Sequence, residues 1–273
     1  MDSDQIEAGS ENQDKQNHGA SCQNCGRQLV GEFCHHCGQQ HIAERLSIKL
    51  LVKWVTKPVL NLDRGLGLTV YELFVDPGGM ARRYIAGQRK KYTNPFVYLF
   101  LWTAIALMAN SLFFSDVRAD VRNSLKEAYQ NLQIFSAVQL EAYVDAAIRL
   151  DTYSAQVLIL LSIPLAFFLK LTFRKKTSYN LAEIFVFNIF IIGQVKLIDI
   201  FLILVISFFQ LSFNSYLYST FTLMTVGFIY GGIGFFGRSF WGVLRIVTAL
   251  IVGYLLYSLV MLTILITFVL LFY

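Results

Sequence analysis

The sequence predicts an all-α polytopic membrane protein of about five transmembrane helices, headed by a small zinc-ribbon module. Three observations predict it. Of the 273 residues, 55% are hydrophobic and 15% aromatic, and the mean hydropathy of +0.52 is too high for soluble domains of this length. The apolar residues gather after Pro95, whereas the first 45 residues are polar and hold all four Cys and all four His. Those cysteines form two C-x2-C pairs, Cys22/Cys25 and Cys34/Cys37, eight residues apart.

Residues 1–20 carry five acids against Lys15 and too little apolar area to offset the entropy of ordering, so they read as a disordered acidic leader. They contain no apolar core of a signal peptide, which places the N-terminus in the cytoplasm. Residues 21–40 are the ribbon. Residues 41–94 form a cytoplasmic amphipathic and basic helical region. Within it Ile48, Leu51, Val52 and Val55 recur at helical spacing while Lys49, Lys53 and Lys57 line another face. This predicts a short helix at 46–57 that lies in the headgroup region with Trp54 at the interface, or else packs as a soluble helix on the ribbon. Thr69 and Glu72 have capping-box spacing, predicting a helix that runs to Val75 and is broken by Asp76-Pro77-Gly78-Gly79.

The transmembrane domain is expected over 95–273, with apolar runs at 95–114, 154–173, 181–210, 216–236 and 245–273. Twenty helical residues rise about 30 Å, the thickness of a bilayer core. Between the first two runs, residues 115–153 carry six acids and four bases in a heptad-like pattern, the signature of a small extracytoplasmic helical lobe. The basic residues 82–91, Arg174 to Lys176, Arg238 and Arg245 all fall on one side of five spans. By the positive-inside rule that side is the cytoplasm, which leaves the C-terminus outside.

Cysteine pairs in a reducing compartment favour metal ligation over disulfides. Cys22, Cys25, Cys34 and Cys37, each pair followed by a turn-forming glycine, can close a tetrahedron around structural Zn2+ at about 2.3 Å. Four thiolates leave no open coordination position, so the site stabilises a mini-domain and catalyses nothing. Iron or a redox dithiol pair is the alternative to zinc; His35 and His36, within the second knuckle, read as exposed side chains, with substitution as ligands the alternative.

The knuckle ending "CHHCGQ" and the stretch "LDRGLGLTVYELFVDPGGMARRYIAGQRKKYTNPFVYLF" at 62–100 resemble the uncharacterised bacterial membrane proteins of domain-of-unknown-function family 3667. The resemblance rests on Thr69, Pro77, Gly78, Tyr84, Ile85, Gly87, Arg89, Tyr92 and Pro95. It implies an N-terminal zinc ribbon, several spans and a bacterial inner-membrane location, and it implies no activity.

Two further constellations are candidate sites. Arg82, Arg83, Arg89, Lys90 and Lys91, interleaved with Tyr84 and Tyr92, fit either a topogenic stop or recognition of anionic lipid headgroups. Within the third run, Asn188, Lys196 and Asp199 are intramembrane polar residues; Lys196 and Asp199 are three apart and can pair, and Asn188 lies about 20° from Asp199 around the axis. Ionisable groups in lipid are functional candidates unless they neutralise each other in packing. Glu183, nearer the cytoplasmic end of that run, either belongs to this polar content or answers Lys175 or Lys176. Gly227-x3-Gly231 offers a close helix contact.

No nucleophile elbow, phosphate loop or paired-carboxylate motif appears, so no catalytic residue is assigned. The expected role is an interaction, scaffolding or regulatory component that meets a cytoplasmic protein through the ribbon. A transporter with a polar pathway in the third span and a lipid-modifying enzyme are the alternatives. A homo-oligomer is also expected; nucleic acid is not, because the basic cluster abuts a span.

Overall fold

A computed structural model describes residues 20–41, 45–55, 65–113, 154–211 and 213–272, with scattered positions between 123 and 144. The leader, the end of the 46–57 element and nearly all of the 115–153 lobe lie outside the described residues. Among the described residues the protein is helical: α1 (Ile48–Val55), α2 (Leu66–Val75), α3 (Pro77–Ile85), α4 (Pro95–Phe113), α5 (Ser154–Phe173), α6 (Leu181–Phe208), α7 (Phe213–Phe236) and α8 (Phe240–Phe272). Extended pairing among these residues is limited to two isolated bridges, Ser21 with Gln28 and Phe33 with Gln40.

Among the described residues, four helical stretches are long and apolar enough to cross a membrane: Pro95–Phe113, Leu181–Phe208, Tyr218–Phe236 and Phe240–Val260. This is a membrane protein. The remaining expected span corresponds to α5, 20 residues with Pro164 inside it, of which Ser162–Phe173 is a shorter apolar helix.

Helix α6 is the axis of the bundle. Residues 182–195 are buried except Phe185, which is why the sequence there is apolar all round instead of amphipathic. Tyr98 and Leu99 of α4 pack on Gly193, and Ala109 clusters with Ile203 and Ile206, so α4 and α6 run parallel. Helix α7 is antiparallel to α6, with Gly231 against Phe187 and Ile191, and Gly227 against Val195. The α5 and α8 helices also oppose each other, since Gly253 meets Leu165 while Arg245 stacks over Phe173. One end of the bundle therefore collects the start of α4, the α5–α6 turn and the α7–α8 turn. Arg174 to Lys176, Arg238 and Arg245 all lie at that end. Aromatic stacking holds it together: Phe173 on Phe236 at 4.1 Å, and Phe235 between Tyr179 at 4.4 Å and Phe187 at 4.5 Å.

The segment before the first span departs from expectation in two places. Thr69 does not cap α2, whose N-cap is Gly65 without a side-chain bond; its buried hydroxyl donates to Gly65 O at 2.7 Å and accepts Thr93 N–H at 2.9 Å. The Asp-Pro-Gly-Gly run does end α2, but it also starts α3. Asp76 accepts Gly79 N–H at 2.9 Å and Pro77 occupies the first turn, where its missing N–H is harmless.

The α2–α3 hairpin leans on the bundle through glycine. A Cβ on Gly78 would sit 2.3 Å from Phe235 N and 2.4 Å from Gly231 O, so only hydrogen permits the approach. At the hairpin's apex, Tyr230 OH donates to Val75 O at 2.5 Å. Gly78→Val is expected to lift α3 off α7 and destabilise the protein by about 1–3 kcal/mol through overpacking. Gly67→Ala, where a methyl meets nothing within 4 Å, should be neutral or stabilising by about 0.5–1 kcal/mol. Thermal unfolding of the two variants in detergent separates them.

Candidate metal centre and its attachment to the bundle

The two knuckles repeat one local fold. Cys22 N–H bonds to Arg27 O and Gly26 N–H to Cys22 O; twelve residues later Cys34 N–H bonds to Gln39 O and Gly38 N–H to Cys34 O. Gly26 and Gly38 adopt φ of 76° and 69°, the left-handed conformation that a side chain would strain. The buried hydrophobic core of this unit is Leu29 with Cys22 and Cys34.

These turns bring four sulfurs together. Cys22 Sγ lies 3.6 Å from Cys37 Sγ and Cys25 Sγ 3.5 Å from Cys34 Sγ, and all four lie within 4.8 Å of one another. A tetrahedron with metal–sulfur bonds of 2.3 Å has edges of about 3.8 Å, so the spacing fits a tetrahedral thiolate ion and exceeds a disulfide's 2.05 Å by far. The thiols ionise unequally. Backbone N–H groups of Cys37 and His36 pull the Cys34 thiol down. At Cys25 the Arg27 backbone also favours the thiolate, but desolvation and the three neighbouring sulfurs prevail and push it up. A divalent cation would let all four ionise together. His35 and His36 are exposed.

The residue after the second knuckle ties this unit to the bundle. Buried Gln39 donates from Nε2 to Gly87 O at 2.7 Å, and its Oε1 accepts the N–H groups of Arg89 at 3.1 Å and Lys90 at 3.0 Å. Gln23 packs on Gly87, where an added Cβ would meet its Oε1 at 2.2 Å. A second tie follows: Arg45 grips Glu183 through Nε at 2.5 Å and Nη2 at 2.6 Å. Asn180 donates to Leu46 O at 2.8 Å and forms a reciprocal capping box with Glu183 at the head of α6. Glu183 therefore answers Arg45, 138 residues away, and not Lys175 or Lys176. Leu46 and Leu51 of the α1 region are buried in one cluster with Leu73, Met80, Tyr84, Phe96 and Ala182; α1 packs on the span heads.

The five basic candidates divide. Arg83 bonds Glu72 at 2.8 Å and Asp76 at 3.3 Å, and Lys91 bonds Glu72 at 3.1 Å. Burial alone would raise the Glu72 carboxyl, but hydrogen bonds from Tyr92, Arg83 and Lys91 outweigh it and hold it below the usual range. Arg89 is largely buried, which lowers its guanidinium against the opposing pull of Tyr84. Arg82 and Lys90 remain exposed.

The intramembrane polar residues also separate. Buried Asp199 accepts from Lys196 at 3.0 Å, Tyr216 OH at 3.0 Å and Thr220 OH at 2.9 Å. Asn188 instead reaches Ser162 O on α5 at 3.2 Å. Eleven residues of helix, about 16 Å, keep Asn188 from that cluster. Gln39, Arg45 and Asn180 escaped the sequence reading; only Asn180 carries a local signal, the N-x-x-E spacing before an apolar run.

Residues 63–107 match a family described as Protein of unknown function (DUF3667). The matched stretch is 45 of the 273 residues. It comprises the α2–α3 hairpin, the 86–94 loop and the first part of α4, and the loop at its centre is the one Gln39 holds. No curated protein and no solved structure matches the chain.

Proposed function

We propose that the protein is an interaction or regulatory component of the bacterial inner membrane. In this reading Cys22, Cys25, Cys34 and Cys37 hold a structural zinc ion, and five spans leave the N-terminus in the cytoplasm and the C-terminus outside. The observation that carries it is the knuckle unit itself. Its sulfurs suit a closed four-thiolate site with no position for substrate, while Val30 and Phe33 stand 70% and 58% exposed on it. Apolar side chains left outside on so small a unit suit a cytoplasmic protein partner. The orientation rests on the basic end of the bundle, and Arg82 and Lys90 are the residues free to meet anionic headgroups.

The transport reading uses Lys196 and Asp199. Its support is weaker, because three donors already satisfy the Asp199 carboxylate, as a packing role requires. The lipid-modifying reading rests on the basic stretch alone, and no nucleophile-elbow or paired-carboxylate sequence motif accompanies it.

The test is crosslinked pull-down from cells carrying the full chain. Val30→Asp with Phe33→Asp should remove the partners captured by the wild type, while Lys196→Met with Asp199→Asn retains them. Recovery of the same partners from the ribbon variant defeats recruitment. Loss of phenotype with the span variant alone favours transport.

A further inference from the structure

Beneath the α2–α3 hairpin, a cleft of about 140 Å3 separates α2 from α6 and α7. Its walls are apolar, formed by Leu73 and Phe74 near the hairpin and by Ile198, Leu223 and Val226 further along. Phe74 and Val226 are exposed at its rim, so the cleft opens sideways to the surroundings of the bundle. Two polar side chains line it, Tyr230, whose hydroxyl is taken by Val75 O, and Gln194. Gln194 is 6% exposed, its Oε1 accepts Tyr98 OH at 2.5 Å, and its amide nitrogen has no hydrogen-bond partner among the described residues.

A buried amide N–H2 left empty is unfavourable, and such groups are found paired with protein, water or ligand. The depth of this one narrows the choice. Tyr98 lies three residues into α4, about 4.5 Å below Pro95, and α4 is the 19-residue apolar helix that follows Lys90 and Lys91. With the boundary taken at Pro95, the head of that apolar helix, Gln194 stands about 4.5 Å inside it, within reach of the glycerol ester carbonyls of a phospholipid. From there the apolar wall continues deeper along α6 and α7, in the direction an acyl chain takes.

We propose that this cleft binds one bilayer diacyl phospholipid, with an ester carbonyl accepting a hydrogen bond from the Gln194 amide and the attached acyl chain lying past Ile198, Leu223 and Val226. The volume falls short of the 300–1,000 Å3 of drug-type pockets and suits a segment of one chain.

The test removes the carbonyl from the ligand. Purified full-length protein is offered phosphatidylglycerol in diester or diether form with matched chains, and retained lipid is counted by native mass spectrometry. The wild type should retain the diester form about 5-fold better, the effect of one hydrogen bond. Gln194→Leu should erase the preference; so should Gln194→Leu with Tyr98→Phe, which leaves no stranded hydroxyl and guards against misfolding. Val226→Trp should reduce retention of both lipids by filling the cleft. Equal retention of the two lipids by the wild type, an undiminished preference in the Gln194 variants, or full retention by Val226→Trp overturns the proposal; the first outcome would assign water as the partner of the amide.

Discussion

Replacing Cys22 and Cys37 together by Ser is expected to take bound metal from one ion per chain to none and to unfold residues 20–41 while the spans stay inserted. The magnitudes decide this. Burying Leu29, the largest buried apolar side chain in the unit, is worth about 1.5–3 kcal/mol, whereas structural zinc in comparable small modules supplies about 10–16 kcal/mol. No packing available to 22 residues replaces that. The loss should also be felt at a distance, because Gln39 is held in place by the knuckle whose Cys34 N–H bonds its carbonyl at 2.9 Å. Without it, the Lys90 N–H loses its partner, and Gly87 O and the Arg89 N–H keep only their bond to each other at 2.8 Å. Metal content by mass spectrometry should fall to zero, and amide exchange at 87–90 should rise in step. Metal-free wild-type protein refutes the centre; unchanged protection at 87–90 refutes the coupling.

How far the sequence exposed these features depends on how local each signal is. The apolar runs announce α4 to α8 to within a few residues, because lipid demands long uninterrupted hydrophobicity. Helix α3 escaped because Arg82 and Arg83 interrupt its apolar content and because Asp-Pro reads equally as a stop and as an N-cap followed by N1. The spacing T-x-x-E at Thr69 and Glu72 was satisfied by nothing, since both side chains are taken by residues 83–93; the same logic at Asn180 and Glu183 is realised in full. Pattern alone cannot distinguish the two. Proximity in sequence misled at Glu183, where a guanidinium delivered by the ribbon's C-terminal connection outcompetes lysines seven and eight residues away. Shared face misled at Asn188 and Asp199, which point the same way from different heights and meet different helices. The cysteines were legible as a set, but the side chain that attaches them, Gln39, has no signature outside the fold.

Arg45→Met is expected to destabilise the protein by about 2–3 kcal/mol, more than any loss at Glu183 itself. The carboxylate of Glu183 is 2% exposed and the guanidinium of Arg45 is 55% exposed, so the two partners stand in different solvents. Removing the arginine strands a negative charge in the interior with Asn180 N–H at 2.9 Å as its remaining bond. The positive end of the α6 dipole recovers about 0.3–1 kcal/mol, which is short of the 3–5 kcal/mol typical of a broken buried pair; Arg45's exposure lowers the expectation to the range given. Removing the acid is milder, because Glu183→Gln keeps an oxygen for Asn180 N–H and frees Arg45 to water. The double variant Arg45→Met with Glu183→Gln should then be more stable than Arg45→Met alone, a sign of coupling that independent surface charges cannot produce. Unfolding of the three variants in mixed detergent micelles measures it. Additive effects of a few tenths of a kcal/mol would show that the pair is ordinary surface electrostatics, and that Leu46 O and Gln39 carry the attachment of the ribbon without it.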